Sequence, residues 1–166
     1  MRAGIALGSN LGERLTNLKI ARGRVCALSR AELPWLASAI YETEPVDCAE
    51  DAPQFLNAVM EIGYASEPQS LLAELREIEI ALGRPRKHPR NAARTLDLDL
   101  LYFGDEIIAT SELELTHPRM HTRRFVLEPL AEIRPDLILP GQTETVSGLL
   151  AKLPTRAPLV RVTSEW

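Results

Sequence analysis

One stretch of the sequence, TLDLDLLYF at residues 95–103, constrains the fold more than any other. Polar and apolar residues alternate in its first half and its second half is continuously apolar, which is the pattern of a β-strand that enters a hydrophobic core. Side chains two residues apart lie on the same face of a strand, so Asp97 and Asp99 point the same way and the leucines that alternate with them bury the other face. The pattern therefore predicts a strand that carries two neighbouring carboxylates on one face of a sheet.

A cationic segment lies directly before this strand. Its positive side chains are Arg84, Arg86, Lys87, Arg90 and Arg94. Because the net charge of the whole chain is -4, this cluster is a local feature, and a dedicated nucleic-acid-binding protein is disfavoured. Adjacent carboxylates repel each other unless a cation lies between them. The two segments together predict a site for a divalent metal ion and a polyphosphate, with Asp97 and Asp99 as oxygen ligands.

The composition fits a single globular domain that spans residues 1–166. Hydrophobic residues make up 45% of the chain and charged residues 25%, which suffices for a core without disulfides or structural metal. The two cysteines, Cys26 and Cys48, have neither the number nor the spacing of a disulfide framework or a zinc site. No signal peptide is recognisable, nor any run of about 18 apolar residues, so we expect a cytoplasmic protein without a membrane partner.

Apolar periodicity predicts that strands and helices are mixed along the chain. Strands are expected at residues 3–7, 33–43, 54–64 and 95–103, with a hairpin partner at 107–115 and shorter strands at 137–139 and 159–162. Helices are expected at about residues 14–30, 67–82, 125–133 and 146–153. The segments 44–53 and 83–94 contain prolines and lack periodicity, which predicts long loops.

Two helix starts carry capping signals. In the turn at residues 8–12 (GSNLG), Asn10 is expected to cap the first helix together with Glu13. This turn is interpreted as structural before it is interpreted as a phosphate loop, because no Gly-Lys-Ser/Thr follows it. Ser66 is expected to cap the second long helix, and Gly83 is expected to end that helix in a left-handed conformation.

Four blocks of sequence resemble those of one enzyme family. They are GSNLG at residues 8–12, YETEP at 41–45 followed by FLNA at 55–58, RTLDLDLL at 94–101, and HPRM at 117–120 followed by RRFVL at 123–127. In this order and spacing they resemble the 6-hydroxymethyl-7,8-dihydropterin pyrophosphokinases of folate biosynthesis, over nearly the whole chain to about residue 140. The resemblance implies an α+β fold, a ferredoxin-like sandwich in which helices pack on a mainly antiparallel sheet.

The resemblance also implies a reaction and the residues that perform it. The reaction is transfer of pyrophosphate from ATP to the hydroxymethyl group of the pterin, with release of AMP and with two Mg²⁺ ions bound by Asp97 and Asp99. The catalytic residues implied are Arg84, Arg94, Asp97 and Asp99, and the ATP-binding residues implied are Glu79, Arg86, Arg94, His117 and Arg123. The pterin-binding residues implied are Thr43, Glu44, Val46, Phe55, Asn57 and Phe125. The only partners expected are these small molecules, bound by a monomer.

Some residues depart from the family pattern. Asn91 stands where many members have tryptophan, and Ala92 and Ala93 stand where Gly-Pro is usual. These changes leave open a divergent metal-dependent nucleotide transferase. A second alternative is a catalytically idle α+β module that uses the basic segment to bind an anion or RNA; taken alone, such a segment is usually a solvated loop. The 5% aromatic content and the negative net charge count against it, because RNA-binding modules commonly stack bases on aromatic side chains.

Overall fold

The computed structural model describes residues 1–44, 53–84, 93–154 and 159–166. The strands within these ranges are β1 (Arg2–Ser9), β2 (Ala31–Ala37), β3 (Ile40–Thr43), β4 (Phe55–Tyr64), β5 (Asp97–Phe103), β6 (Ile108–Ala109), β7 (Glu114–Leu115) and β8 (Val160–Thr163). The α-helices are α1 (Arg14–Cys26), α2 (Pro68–Ala81), α3 (Arg124–Ile133) and α4 (Val146–Lys152), and a 3-10 turn at Met120–Thr122 precedes α3. Strands and helices are mixed along the chain, as the apolar periodicity predicts.

Antiparallel pairing joins six of these strands into one sheet, in which β1 lies between β4 and β5. The strand order is β5-β1-β4-β3-β8, and β2 pairs with the other half of β4. Helices α1 and α2 bury the apolar side chains on one face, and α3 and α4 bury those on the other. The predicted α+β sandwich of helices on a mainly antiparallel sheet is confirmed. None of the helices in the described ranges has both the length and the apolar character of a membrane span.

Strand β5 is fixed by the leucines on its buried face. Leu96, Leu98 and Leu100 are at most 5% exposed and belong to the core beneath α1 and α2. Burial of each leucine side chain contributes about 1.5–3 kcal/mol, and a slip of one residue would move all of them to the opposite face. Asp97 and Asp99 are therefore held on the face that α3 and α4 cover.

The predicted strand at residues 33–43 is in fact two strands. β2 pairs with the second half of β4 and β3 pairs with the first half, where Tyr41 lies opposite Asn57. Ser38 separates the two strands: its backbone N donates to the carbonyl of Val59 at 2.9 Å, and its Oγ accepts from Val59 N at 3.0 Å. The Ser38 hydroxyl thus accepts the hydrogen bond that a backbone carbonyl of a continuous strand would accept. Strand propensity alone does not predict this break between β2 and β3.

The predicted hairpin after Gly104 is wrong. Strand β6 pairs with β7 in a separate two-stranded sheet instead of pairing with β5. Gly104 N donates to the carbonyl of Arg2 at 2.7 Å, which closes the turn against β1 rather than along the outer side of β5. Within the described ranges β5 is an edge strand of the main sheet, and the backbone N of His117 donates to its Leu101 carbonyl at 2.8 Å.

Both predicted helix caps are wrong. The residues that precede α1 and α2 are Glu13 and Glu67, not Asn10 and Ser66, and neither glutamate forms a side-chain capping hydrogen bond. The side chain of Asn10 bonds instead to residues far along the chain. Gly83 follows α2 with φ of 91°, so its predicted left-handed conformation is confirmed.

Candidate active site

The two carboxylates of β5 lie opposite the smallest residues of β1. Asp97 is opposite Gly8 and Asp99 is opposite Ala6 across the antiparallel pair. Residues directly opposite each other in such a pair share a face of the sheet. The structure thus has both carboxylates on one face, as the alternation predicts, beside neighbours that add little or no side chain.

Two arginines converge on one oxygen of Asp97. Arg84 Nη1 lies 2.7 Å from Asp97 Oδ1, and Arg94 Nη1 lies 3.2 Å from the same atom. Arg94 Nε is buried and has no hydrogen-bond partner within the part of the chain that the structure describes. A buried guanidinium N–H in this state is suited to donate to an oxygen of an anionic ligand.

Glu79, in the last turn of α2, holds Arg84 against β5. The carboxylate of Glu79 pairs with Arg84, and its Oε1 accepts from the backbone N of Leu98 at 2.7 Å. Burial raises the pKa of Glu79 to about 7, although the Leu98 hydrogen bond and the charge of Arg84 oppose the shift. A carboxylate is unfavourable at a helix C-terminus, and these two contacts account for its presence there.

Asp99 and His117 form the other side of the site. Asp99 Oδ2 lies 3.9 Å from His117 Nε2. Burial, followed by the charge of Asp97, raises the pKa of Asp99 to about 6, although Arg123 opposes the shift. Burial, followed by the charge of Arg123, lowers the pKa of His117 to about 4. His117 is therefore neutral near pH 7 and acts there as a hydrogen-bonding group rather than as a cation.

Three of the residues predicted to bind the pterin lie on β3 and β4, on the other side of β1 from the carboxylates: Thr43, Phe55 and Asn57. Asn57 on β4 is opposite Gly8, so a row of three residues, Asn57–Gly8–Asp97, crosses three neighbouring strands. A Cβ on Gly8 would lie 3.1 Å from Asn57 Oδ1 and 3.8 Å from Asp97 Cβ. Asn57 Nδ2 donates to Thr43 Oγ1 at 2.7 Å, which leaves Oδ1 directed towards Gly8. Glycine thus keeps the space between the amide and the carboxylate open.

Two arginines predicted to bind ATP lie over aromatic rings predicted to bind the pterin. Phe55 shares a face with Asn57, and the guanidinium carbon of Arg94 lies 5.8 Å from the centre of its ring. The guanidinium carbon of Arg123 lies 5.4 Å from the ring centre of Phe125, at the start of α3. These distances are typical of cation–π contacts, and each contact pairs a predicted pterin residue with a predicted ATP residue.

Three predicted site residues fall outside this geometry. Glu44 is exposed directly after β3. Arg86 and Val46 lie outside the described residues. The remaining predicted residues surround the β5 carboxylates and the Asn57–Gly8–Asp97 row.

Sequence reasoning missed the importance of the GSN segment. β1 continues through Gly8 to Ser9, so the segment begins as a strand rather than as a turn. Ser9 and Asn10 are at most 3% exposed, and their side chains bond to the backbones of Thr95 and Arg94. The available signal was a glycine and two small polar residues directly after an apolar strand, because polar groups buried at such a place need partners.

The carboxylate pair suits a hard divalent cation. Mg²⁺ prefers oxygen ligands and is commonly held by one or two carboxylates together with substrate phosphates. Among the described residues, no group of three or more His, Cys, Asp or Glu side chains could hold a metal ion. Asp97 and Asp99 therefore fit Mg²⁺ that shares its coordination with phosphate oxygens, and the buried Arg94 Nε fits the same anion.

Comparison with known proteins gives one consistent result for this sequence. Residues 4–135 match the model of a family described as 7,8-dihydro-6-hydroxymethylpterin-pyrophosphokinase (HPPK). The 2-amino-4-hydroxy-6-hydroxymethyldihydropteridine pyrophosphokinase of Haemophilus influenzae is 43% identical over 137 residues, which cover 82% of this chain and 84% of the relative. The protein of the same name from Bacillus subtilis is 48% identical over 131 residues, which cover 78% of this chain and 75% of the relative.

Solved structures share the fold. The wild-type HPPK-DHPS of Plasmodium falciparum, solved with pteroate, matches 91% of this chain with a TM-score of 0.70 and 14% sequence identity. This chain covers 42% of that longer protein. At such low identity the likeness concerns the fold alone, which is the ferredoxin-like α+β sandwich that the sequence blocks imply.

Proposed function

The chain belongs to the 7,8-dihydro-6-hydroxymethylpterin-pyrophosphokinase (HPPK) family, and we propose that its two substrates meet over the Asn57–Gly8–Asp97 row. The protein is a diphosphokinase of folate biosynthesis. It transfers a pyrophosphoryl group from ATP, its co-substrate, to the hydroxymethyl group of 6-hydroxymethyl-7,8-dihydropterin, and the other product is AMP.

The row itself is the observation that carries this assignment. Neighbouring strands lie about 4.8 Å apart, so Asn57 and Asp97 are separated by roughly 10 Å at the backbone. That distance accommodates a flat heterocycle beside the amide and a phosphate chain beside the carboxylate. Gly8 between them has no side chain to obstruct the reacting atoms.

At the ATP end we assign charge stabilisation to the β5 carboxylates and their arginines. Two Mg²⁺ ions bound at Asp97 and Asp99 would neutralise the charge that develops on the attacking and leaving oxygens. Arg84 and Arg94 each place a guanidinium nitrogen within 3.2 Å of Asp97 Oδ1, so both are close enough to donate hydrogen bonds to phosphate oxygens bound there. Phosphoryl transfer depends mainly on such positioning and charge stabilisation.

The rest of the nucleotide contacts follow from the surroundings of Asp99. Arg123 supplies a positive charge next to Asp99, and neutral His117 supplies a hydrogen-bonding group. Glu79 contributes through Arg84, which it holds beside Asp97.

At the pterin end we assign recognition to Asn57 together with two aromatic side chains. The bond from Asn57 Nδ2 to Thr43 Oγ1 fixes the amide, so that Oδ1 can accept from the edge of the heterocycle. Phe55 and Phe125 supply flat apolar surfaces of the kind that bind planar rings. Both rings also contact arginines of the ATP end, which supports a shared site for the two substrates.

Several expectations stay predictions. They are the roles of Glu44, Val46 and Arg86, the single domain over residues 1–166, the monomeric state, the cytoplasmic location and the absence of nucleic-acid and membrane partners.

We expect purified protein with ATP, Mg²⁺ and 6-hydroxymethyl-7,8-dihydropterin to form AMP and the pterin diphosphate in equal amounts. Chromatographic separation of AMP from ADP measures this directly. Asp97→Asn protein prepared in the same way controls for contaminating enzymes. Formation of ADP, or of AMP at a rate that does not depend on the pterin, would contradict the proposed function.

We expect the carboxyl group of Asp99 to titrate near pH 6 without metal, because burial and Asp97 disfavour its charged form. Addition of Mg²⁺ should lower this pKa, since the ion binds only the ionised form. Asp97→Asn should lower it as well, because the neighbouring charge is removed. Carboxyl ¹³C chemical shifts measured between pH 4 and pH 8 test this, and a metal-free pKa near 4 would contradict it.

A further inference from the structure

Asn10, the residue that follows β1, forms two hydrogen bonds with the backbone of Arg94. Asn10 is 3% exposed, and a buried amide must find hydrogen-bond partners. Its Oδ1 accepts from Arg94 N at 2.8 Å, and its own backbone N donates to the carbonyl of Arg94 at 3.2 Å. The pair of bonds fixes Arg94 relative to the strand that carries Gly8.

The other end of the same amide reaches the pterin side of the site. Asn10 Nδ2 donates to the carbonyl of Pro53 in a longer bond of 3.4 Å. Pro53 lies two residues before Phe55, the first residue of β4. One side chain thus connects the backbone of Arg94 to the entry of the strand that carries Phe55 and Asn57.

Further hydrogen bonds hold the segment next to Arg94. Ser9 Oγ donates to the carbonyl of Thr95 at 2.6 Å, and Asn17 Nδ2 donates to the same carbonyl at 3.1 Å. Thr95 Oγ1 in turn donates to the carbonyl of Leu82, after α2, at 2.7 Å. Polar contacts with the end of β1 and with α1 therefore set the position of residues 94–95.

We propose that Asn10 is a positioning residue for pyrophosphoryl transfer. Its amide oxygen fixes the position of the Arg94 backbone, and its amide nitrogen fixes the position of the segment that enters β4. This inference rests on the proposed role of Arg94. With its backbone held by Asn10, Arg94 keeps its guanidinium between Asp97 Oδ1, at 3.2 Å, and the ring of Phe55, at 5.8 Å. Asn10 acts through the backbones that it binds, not by contact with the reacting groups.

Two substitutions distinguish the effect of the hydrogen bond to Arg94 from that of the hydrogen bond to Pro53. Asn10→Ala removes both side-chain bonds, so we expect kcat to fall about 100-fold, as when a catalytic group is misplaced by about 1 Å, and the KM for the pterin to rise. Asn10→Asp keeps an oxygen that accepts from Arg94 N, but it turns a second oxygen towards the Pro53 carbonyl. We expect Asn10→Asp to restore most of kcat while the KM for the pterin stays raised.

A double-mutant cycle tests whether Asn10 acts through Arg94. In the Arg94→Ala background, Asn10→Ala should lower kcat by no more than about threefold, because the guanidinium that it positions is already gone. Tyr64→Phe is the matched control: it removes a 2.6 Å hydrogen bond to Glu74 at the far end of β4. This control should leave kcat and both KM values unchanged.

Hydrogen exchange at the Arg94 amide gives a readout that needs no substrate. Exchange should be faster in Asn10→Ala than in the native protein and should stay slow in Asn10→Asp. Unchanged exchange in Asn10→Ala, equal losses of kcat in the two Asn10 variants, or multiplicative losses in the double variant would each overturn the proposal. A native protein that forms no AMP would instead refute the proposed function, and the exchange experiment would still decide whether Asn10 holds Arg94.

Discussion

Asp97→Asn is expected to lower kcat by about 1000-fold or more while the protein stays folded. Asp97 Oδ1 is the common partner of Arg84 and Arg94, at 2.7 and 3.2 Å, and the residue lies at one end of the Asn57–Gly8–Asp97 row. Asparagine keeps the shape of the side chain but removes the charge that binds Mg²⁺ and attracts both guanidinium groups. One substitution therefore weakens metal binding and the placement of two arginines together.

Rates of AMP release measure this effect, and circular dichroism checks the fold. Asp105→Asn is the matched control, because Asp105 is exposed in the turn that follows β5, and its kcat should stay within about twofold of the native value. If Asp97→Asn kept kcat within about tenfold of the native value, Asp97 would be part of a strand face and would have no role in the reaction.

Glu61→Gln is expected to lower the free energy of unfolding by about 3 kcal/mol. Glu61 is 1% exposed. It accepts hydrogen bonds from Arg2 Nε at 2.8 Å, Arg134 Nη2 at 2.6 Å and Tyr102 Oη at 2.5 Å. Arg2 lies on β1, Tyr102 lies on β5 and Arg134 directly follows α3. The Glu61 carboxylate therefore links β4 to all three of these places in the fold. The neutral amide would leave two partly buried arginines without their counter-charge.

Urea unfolding measures this loss. Glu144→Gln breaks a surface ion pair with Lys152 and should change the free energy of unfolding by less than about 0.5 kcal/mol. A loss below about 1 kcal/mol in Glu61→Gln would show that water already screens the cluster.

The same variant should also change how stability depends on pH. Burial raises the pKa of Glu61, but hydrogen bonds from Arg134, Tyr102 and Arg2 outweigh it, so the pKa lies below its ordinary value of 4.5. Such a carboxylate contributes stability above the unfolded-state pKa and loses it as the pH falls through the folded-state pKa. Native protein should therefore lose stability below pH 4.5, and Glu61→Gln should lose less over the same interval.

The parts of the site that sequence reasoning found are set by local patterns. Alternation of leucine and aspartate decides the faces of β5 whatever strand it pairs with, so the carboxylate pair could be predicted from nine residues. The left-handed Gly83 after α2 was likewise a local signal. The pterin residues came instead from the resemblance of whole blocks, because no local rule distinguishes Asn57 from an ordinary strand residue.

The parts that sequence reasoning missed depend on contacts between distant segments. The Asn57–Gly8–Asp97 row exists because β1 pairs with β4 and β5 in one particular register, and a single sequence does not contain that register. Asn10 was predicted as a helix cap, but it bonds to residues 84 and 43 positions away. The split of residues 33–43 depends likewise on Ser38 meeting Val59.

The position of β5 at the edge of the described sheet also affects contacts between molecules. Uncovered backbone groups on an edge strand can pair with the edge of another chain, and charged side chains oppose that pairing. The carbonyl of Leu101 is already occupied by His117 N, and Asp97 and Asp99 place charged side chains at the start of the strand. The same carboxylates that are suited to bind metal thus discourage two molecules from joining their sheets edge to edge.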